Sequence, residues 1–461
     1  MNVAEAPPGE PKLATDESLP RRERKLGAGL RLNIRGRSIK LRGLRRSPTG
    51  IFLALAVLGP GLITGSAGND AGGIATYSQA GAKFGYDLLW VMVVITVSLM
   101  VVQEMCARLG AATGRGVLDL IRERFGAGWV VFAELVVLLA NGSLIVTEFA
   151  AIGAAAELFG VSRLILVPVA AAVVWYLVVG GTYAWVEKVF IVMTLVFFAY
   201  PLAAILARPN WGAVAHGLLV PTVHADPDFL LLFVALAGAT VTPYQQLFQQ
   251  AAVVERGVAR QHYGTAERVD TFFGMIFSNV IGAFVIIAAA ATLHQAGKTD
   301  ITTAAEAASA LAPVAGPYAQ ALFAIGLLGA ALLAAAVLPL ATAYSTSEAF
   351  GFRKGVDLDF RRAPVFLNVF TVLIILGAGL SLIPGLPIIQ LLVLIQVLNG
   401  ILLPIILLFL LLLANDRRLT GHLRNRWLSN TLGWGTFGLV TGAVVLLLGS
   451  QFLGLFGIGS A

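Results

Sequence analysis

Long apolar stretches separated by short polar segments dominate the chain from Gly50 onward. Eleven of these stretches reach about 20 residues, the length that an α-helix needs to cross a bilayer. They cover approximately residues 50–79, 87–109, 128–157, 162–181, 186–206, 228–251, 270–294, 317–348, 363–382, 388–414 and 431–456. Because lipid offers no hydrogen-bond partners to the backbone, each stretch is predicted to be a transmembrane helix.

Composition agrees with this pattern. Of the 461 residues, 58% are hydrophobic and only 12% are charged, against roughly 25% charged residues in a typical soluble domain. The sequence therefore predicts an all-α polytopic membrane protein. A single cysteine, Cys106, forms neither an intrachain disulfide nor a cysteine metal cluster. Since no P-loop, nucleophile elbow or HExxH motif occurs, we expect neither an enzyme nor a bound cofactor.

The distribution of basic residues predicts the topology. With the N-terminus in the cytoplasm, 28 of the 32 lysines and arginines fall in the arm or in cytoplasmic loops, as the positive-inside rule requires. The outer loops then contain only Lys83, Arg163, Arg208 and Lys298. We expect a multi-pass protein of the plasma membrane with a cytoplasmic N-terminus and an extracellular C-terminus.

The first 49 residues contain no apolar run and are rich in arginine and lysine. We interpret residues 1–49 as a disordered cytoplasmic arm that contacts anionic lipids rather than nucleic acid. Residues 50–414 form a ten-helix core with halves at 50–206 and 228–414. Residues 415–461 add a cytoplasmic loop and the eleventh helix.

Two of the predicted helices contain helix-breaking residues at corresponding positions. The first span includes the glycine-rich run 65–73, and the sixth includes the run 238–246 around Pro243. Five spans separate the two, as expected if two inverted repeats face each other around a transport site. The simpler alternative is a pair of kinks that only aid packing. Asp70 argues against that alternative, because a carboxylate at mid-membrane costs about 2.5–3.5 kcal/mol on insertion scales.

Several motifs then resemble one family, the natural resistance-associated macrophage protein (Nramp) family of divalent-metal transporters. The resembling segments are 59–61, 70–73, 79–86, 238–244, 396–404 and 415–421. They are spread over essentially the whole chain after Gly50. The resemblance implies a LeuT-type inverted repeat of five plus five helices, with helices 1 and 6 broken and an eleventh helix appended.

The chain departs from the family pattern at the positions that would bind metal. The family motif Asp-Pro-Gly-Asn is replaced by residues 70–73, which end in Gly73, and Ala-x-x-Met-Pro-His is replaced by residues 239–244. The soft methionine thus becomes Thr242, and the histidine becomes Tyr244. In the third helix Glu148 retains one acid, while Ala151 replaces the second. This pattern resembles the divergent magnesium-transporting branch of the family.

An oxygen-only site follows from these substitutions. Carboxylate, carbonyl and water oxygens suit Mg²⁺ and Mn²⁺, and Mg²⁺ retains several of its waters when bound. The expected site includes the Asp70 carboxylate, freed carbonyls near the breaks, and amides of the tenth helix at i and i+3. Its predicted members are Asp70, Ala67, Gly73, Ala239, Thr242, Tyr244, Gln396 and Asn399. For the two amides, an interhelical hydrogen bond is the alternative role.

We therefore expect a monomeric importer of Mg²⁺, and also of Mn²⁺, that works by alternating access without proton coupling. The nearest alternative is a proton-coupled Mn²⁺/Fe²⁺ symporter, which would call for methionine and histidine in place of Thr242 and Tyr244. A sodium-coupled amino-acid symporter of the same fold is a more distant alternative, and Asp70 argues against it. The glutamines at 245, 246, 249 and 250 either line an inward path or bond neighbouring helices.

Overall fold

The structure, a computed structural model, describes residues 30–34, 37–41, 60–181, 185, 188–189, 192, 197–224, 226–258, 263–309 and 319–455. The chain divides into two units, with the boundary between Leu58 and Gly59. The first unit contains an antiparallel pair of strands, β1 (Leu30–Ile34) and β2 (Arg37–Leu41).

Alternation of apolar and polar residues explains this pair of strands, because a period of two favours a strand. In the register, Leu30 stands opposite Leu41 and Leu32 opposite Ile39. An ordered hairpin therefore replaces the predicted disorder in this part of the arm. The remainder of the predicted arm at 1–49 lies outside the described residues.

The second unit is built from helices throughout its described residues. They are α1 (Pro60–Ala67), α2 (Ala71–Phe84), α3 (Leu89–Thr113), α4 (Val117–Phe125), α5 (Ala127–Leu158), α6 (Arg163–Val179), α7 (Ala199–Leu206), α8 (Trp211–Leu219), α9 (Pro227–Thr240), α10 (Pro243–Glu255), α11 (Thr265–Ala289), α12 (Ala304–Ser309), α13 (Ala319–Phe350), α14 (Pro364–Ser381), α15 (Ile388–Asn415), α16 (Arg417–Thr420) and α17 (Trp427–Leu455). A π-helical turn, Ala290–His294, extends α11, and a 3₁₀ turn, Gly421–Leu423, follows α16.

Eight membrane-length apolar helices occur in the described part of the chain, if α9 and α10 are taken together. They correspond to the predicted spans 2, 3 and 6–11. The first predicted span is divided between α1 and α2, and the fourth corresponds to the 17-residue α6. In the fifth, predicted at 186–206, positions 186–187, 190–191 and 193–196 lie outside the described residues, and the last turns form α7.

Four short helices, α4, α8, α12 and α16, lie outside the predicted spans. Both α4 and α8 contain nine residues, well below the length of a membrane span, so a search for apolar stretches passes over them. Local signals account for each. The α8 helix begins after Asn210, whose side chain accepts hydrogen bonds from the next turn, and α4 lies between Gly116 and Gly126.

Both predicted breaks are present, and local chemistry explains where each helix resumes. Asp70 has extended backbone angles and caps α2, because its side chain accepts a hydrogen bond from the backbone of Gly73. Thr242 also has extended angles, and Pro243 begins α10. Proline suits the first position of a helix because its missing N–H would have no intrahelical partner there.

Small residues bring the broken helices against their neighbours. A methyl group added at Gly274 of α11 would lie 2.1 Å from the carbonyl oxygen of Gly61 in α1, so no larger residue fits. In the second half, a methyl at Gly238 of α9 would lie 2.0 Å from the carbonyl oxygen of Gln396 in α15. Close contact of this kind is typical of membrane helix packing, and it positions both breaks rigidly.

Candidate functional site

The carboxylate of Asp70 lies at the first break and is completely buried. Its Oδ1 accepts a hydrogen bond of 2.5 Å from the Gly73 N–H and one of 2.9 Å from Nε2 of Gln396. Its Oδ2 has no hydrogen-bond partner among the described residues. Two donors thus fix the orientation of the carboxylate and leave one oxygen available to a ligand.

A second carboxylate, that of Glu148 in α5, lies at the same break. Its Oε2 accepts a hydrogen bond of 3.2 Å from the Ala71 N–H, at the first turn of α2. Both carboxylates therefore accept hydrogen bonds from the first turn of α2. The positive end of the α2 dipole favours negative charge at this position, so the two acids share one stabilising helix terminus.

The second break supplies uncharged oxygens. The hydroxyl of Thr242 is buried, and within the described part of the chain it has no hydrogen-bond partner. The hydroxyl of Tyr244 donates a 2.5 Å hydrogen bond to the carbonyl of Ala67 in α1. That bond joins the two breaks directly. It also means that the carbonyl of Ala67, expected to be free for the metal, already accepts one hydrogen bond.

The amides of α15 complete the polar contacts around Asp70. Gln396 directs its nitrogen to Asp70, and its oxygen accepts a hydrogen bond of 3.3 Å from Nδ2 of Asn399. The structure therefore shows the interhelical hydrogen bond that was the alternative role for Gln396. The Oδ1 of Asn399 is buried and has no partner among the described residues, so this amide retains an available oxygen.

Two predicted members act through their backbone. Gly73 donates to Asp70, and a methyl group added there would lie 3.2 Å from Asp70 Oδ1 and from the carbonyl oxygen of Gly68. A side chain at this position would therefore crowd the carboxylate, and glycine avoids that contact. Ala239 is buried in the last turn of α9, where helix carbonyls lack the usual intrahelical donors.

The available atoms form a hard-ligand set. Asp70 and Glu148 offer carboxylate oxygens, Thr242 a hydroxyl and Asn399 an amide oxygen. No group of three or more histidine, cysteine, aspartate or glutamate side chains suitable for a metal ion occurs in the described residues. Carboxylate and neutral oxygens together suit a hard cation that keeps part of its hydration shell.

Sequence reasoning left two residues out of the site. Glu148 was recognised as an acid of the third helix, but its contact with the α2 terminus depends on tertiary packing. Tyr77 was not identified; its hydroxyl lies 3.3 Å from that of Thr240, linking α2 to α9. An aromatic residue within an apolar helix gives no signal in a single sequence that would separate it from an ordinary core residue.

The glutamines of α10 divide between the two predicted roles. Gln245 donates to the carbonyl of Thr64, Gln249 to the hydroxyl of Thr271, and Gln250 to a backbone carbonyl of the α3–α4 connection. These three bond neighbouring segments. Gln246 differs, because both of its amide atoms are buried without a hydrogen-bond partner in the described residues.

Comparison with known proteins places this geometry in context. The family model described as natural resistance-associated macrophage protein-like matches residues 61–450. One similar sequence is the divalent metal cation transporter MntH of Deinococcus radiodurans, at 32% identity over 405 residues. The alignment covers 84% of this chain and 88% of that relative.

Solved structures share the fold at lower sequence identity. The Eremococcus coleocola manganese transporter, in complex with an aromatic bis-isothiourea compound, matches with a TM-score of 0.69 and 21% identity, covering 90% of this chain and 91% of its own. MhsT in complex with L-phenylalanine matches with a TM-score of 0.56 and 15% identity, covering 84% and 97%. The chain thus has the LeuT-type fold that its paired broken helices predicted.

Proposed function

The chain belongs to the natural resistance-associated macrophage protein-like family, and we propose that it imports divalent metal ions, chiefly Mg²⁺ and also Mn²⁺. It is a multi-pass membrane transporter and not an enzyme, so the metal ion is its substrate rather than a resident cofactor. Relatives named as a divalent metal cation transporter and a manganese transporter support this substrate class.

The observation that carries the magnesium preference is the oxygen-only donor set around Asp70. Thr242 offers a hydroxyl at the position of the soft thioether in the family motif, and Gly73 places no side chain against the Asp70 carboxylate. Mg²⁺ sheds its waters reluctantly and is usually bound through one or two carboxylates. A carboxylate pair with neutral oxygens suits a partly hydrated ion of this kind.

The mechanism that we propose is alternating access without proton coupling, driven by the ion's own gradient and the membrane potential. Tyr244 replaces the histidine of the family motif, and its hydroxyl is engaged with the carbonyl of Ala67. An unperturbed tyrosine has a pKa near 10, so this position offers no ready proton carrier. The potential contributes about 2.3 kcal/mol per charge per 100 mV, twice that for a divalent ion, which suffices for inward accumulation.

A proton-coupled Mn²⁺/Fe²⁺ symporter is the second candidate, and one observation favours it. Glu148 and Asp70 both accept hydrogen bonds from the first turn of α2. Binding of a divalent cation beside a pair of acids displaces any proton that they share. Against this candidate, Ala151 stands where the family motif has its second acid. Glu148 therefore has no acidic partner at that position of its own helix, α5.

Reconstituted vesicles distinguish the two candidates. The purified protein is placed in liposomes at a clamped potential, with a Mg²⁺ indicator inside and a pH dye in a parallel preparation. We expect influx of Mg²⁺ and Mn²⁺ without acidification beyond that of protein-free vesicles. Metal-dependent acidification would establish proton coupling instead. Uptake of Mn²⁺ without Mg²⁺ would contradict the magnesium preference.

We further propose a plasma-membrane location, a monomeric state, a cytoplasmic N-terminus and an extracellular C-terminus. The basic arm at 1–49 would then contact the anionic cytoplasmic leaflet. The single native cysteine, Cys106, is buried, so a cysteine added at the C-terminus can be labelled selectively. Labelling of intact cells by a membrane-impermeant thiol reagent is the expected result, and protection until lysis would contradict the orientation.

A further inference from the structure

Several buried side-chain amides between the Asp70 site and the C-terminal end of α10 have no hydrogen-bond partner among the described residues. Both side-chain amide atoms of Gln103 in α3 and of Gln246 in α10 are buried without a hydrogen bond in the described part of the chain. The Oε1 of Gln249 is also buried without a hydrogen-bond partner among those residues. A buried amide left without a partner is destabilising, so a cluster of them in one layer calls for a function.

The packing of α3 against α10 places Gln103 and Gln246 at the same level. A methyl group added at Gly110 would lie 2.9 Å from the carbonyl oxygen of Gln250 and 3.5 Å from Cβ of Val253. Seven residues make about two helical turns. Two turns before Gly110 is Gln103, and two turns before Val253 is Gln246. The two amides therefore face each other if the helices run in parallel.

Contacts with α11 show that the helices do run in parallel. Thr96 of α3 accepts a hydrogen bond from Asn279, and the adjacent Ser278 accepts one from Asn69 at the first break. The early part of α3 is thus near the break, and α10 begins at the second break. Both helices proceed from there to the contact at Gly110, the end that the basic-residue pattern places in the cytoplasm.

A residue of a third helix, α11, lies at the same level as these amides. Following α11 back from Asn279 leads to Thr271, whose hydroxyl accepts a 3.1 Å hydrogen bond from Gln249. The residues Gln103, Gln246, Gln249 and Thr271 are all buried. We call these four residues the inner amide layer. Gln246 lies about one turn and Gln249 about two turns beyond Thr242 of the site, towards the predicted cytoplasmic end.

We propose that the inner amide layer is a second, transient binding station for the hydrated divalent cation on its way to the cytoplasm. This inference rests on the proposed transport of divalent metal. Amide oxygens accept hydrogen bonds from the waters of the ion, and amide nitrogens bond water that follows it. Since the layer contains no carboxylate, it holds the ion weakly, and conduction requires sites that release as readily as they bind.

A double variant, Gln103→Leu with Gln246→Leu, removes the unpartnered amides. We expect Mg²⁺ and Mn²⁺ uptake into liposomes to fall about tenfold, equivalent to about 1.4 kcal/mol. Equilibrium binding of Mn²⁺ to the detergent-purified protein remains unchanged, because the Asp70 site is intact. The midpoint of thermal unfolding stays the same or rises, since an unpaired buried amide is replaced by an apolar group. The control is Gln390→Leu, an exposed amide outside the layer.

The outcomes separate this proposal from the proposed function. If the unmodified protein takes up neither metal, the function itself is wrong. If it transports and the double variant transports equally fast, the second station is wrong. Parallel loss of Mn²⁺ binding, uptake and thermal stability would show that the amides support the fold. The milder Gln246→Asn retains an amide, and we expect it to recover most of the uptake if the double variant folds poorly.

Discussion

The two interrupted helices contribute different chemistry to one site. The first break provides charge: Asp70 caps α2 with one oxygen and leaves the other available, and Glu148 bonds the same helix terminus. The second break provides no acid, only the hydroxyls of Thr242 and Tyr244. We therefore propose that the first break binds the cation by charge, while the second selects between cations by ligand type.

Asp70→Asn tests the charged break and has the largest expected effect. The change preserves the shape of the side chain and removes its charge, so uptake of every divalent metal should fall at least about a hundredfold, given ~3 kcal/mol for a lost charged interaction. Uptake into liposomes and equilibrium Mn²⁺ binding measure it. Asp87→Asn, a partly exposed acid paired with His224, is the control. Full uptake by folded Asp70→Asn would remove this residue from the site.

Thr242→Met combined with Gly73→Asn tests selection by the second break. The thioether adds a soft ligand, and the asparagine side chain crowds the Asp70 carboxylate. We expect Mg²⁺ uptake to fall about tenfold, the equivalent of ~1.4 kcal/mol, while Mn²⁺ and Cd²⁺ binding is preserved or improved. Competition between Mg²⁺ and Cd²⁺ for transport measures the change. Unaltered Mg²⁺ uptake would contradict the argument from ligand softness.

Tyr244→Phe tests the link between the breaks. Loss of the hydrogen bond to Ala67 should reduce the free energy of unfolding by about 1 kcal/mol. Thermal unfolding with and without Mg²⁺ measures this, and the added stabilisation by Mg²⁺ should persist. Tyr200→Phe is the matched control, because that buried hydroxyl has no hydrogen-bond partner among the described residues. Equal destabilisation by both variants would mean that the link contributes nothing.

The contrast also explains which features could be predicted from the sequence. The charged break was predictable, because a mid-membrane acid among glycines is costly and conspicuous, as Asp70 is. Pro243 similarly marked the second break. The Tyr244 bond to Ala67 and the Gln396 bond to Asp70 were not predictable, since each joins residues more than 170 positions apart. Such contacts depend on how the two repeats pack against each other, which no local pattern specifies.

Thr240→Val has the smallest expected effect. It tests whether a polar contact beside the second break affects how strongly the metal is bound. The Thr240 and Tyr77 hydroxyls lie 3.3 Å apart, a long separation for two hydroxyl groups, so their hydrogen bond is weak. Valine matches threonine in shape. We expect the free energy of unfolding to change by less than about 0.5 kcal/mol and the rate of metal uptake by less than about twofold. Thr292→Val, whose hydroxyl bonds only within its own helix, is the control. A loss of uptake as large as that of Asp70→Asn would show that the second break also governs binding strength, and the division between charge and selection would fail.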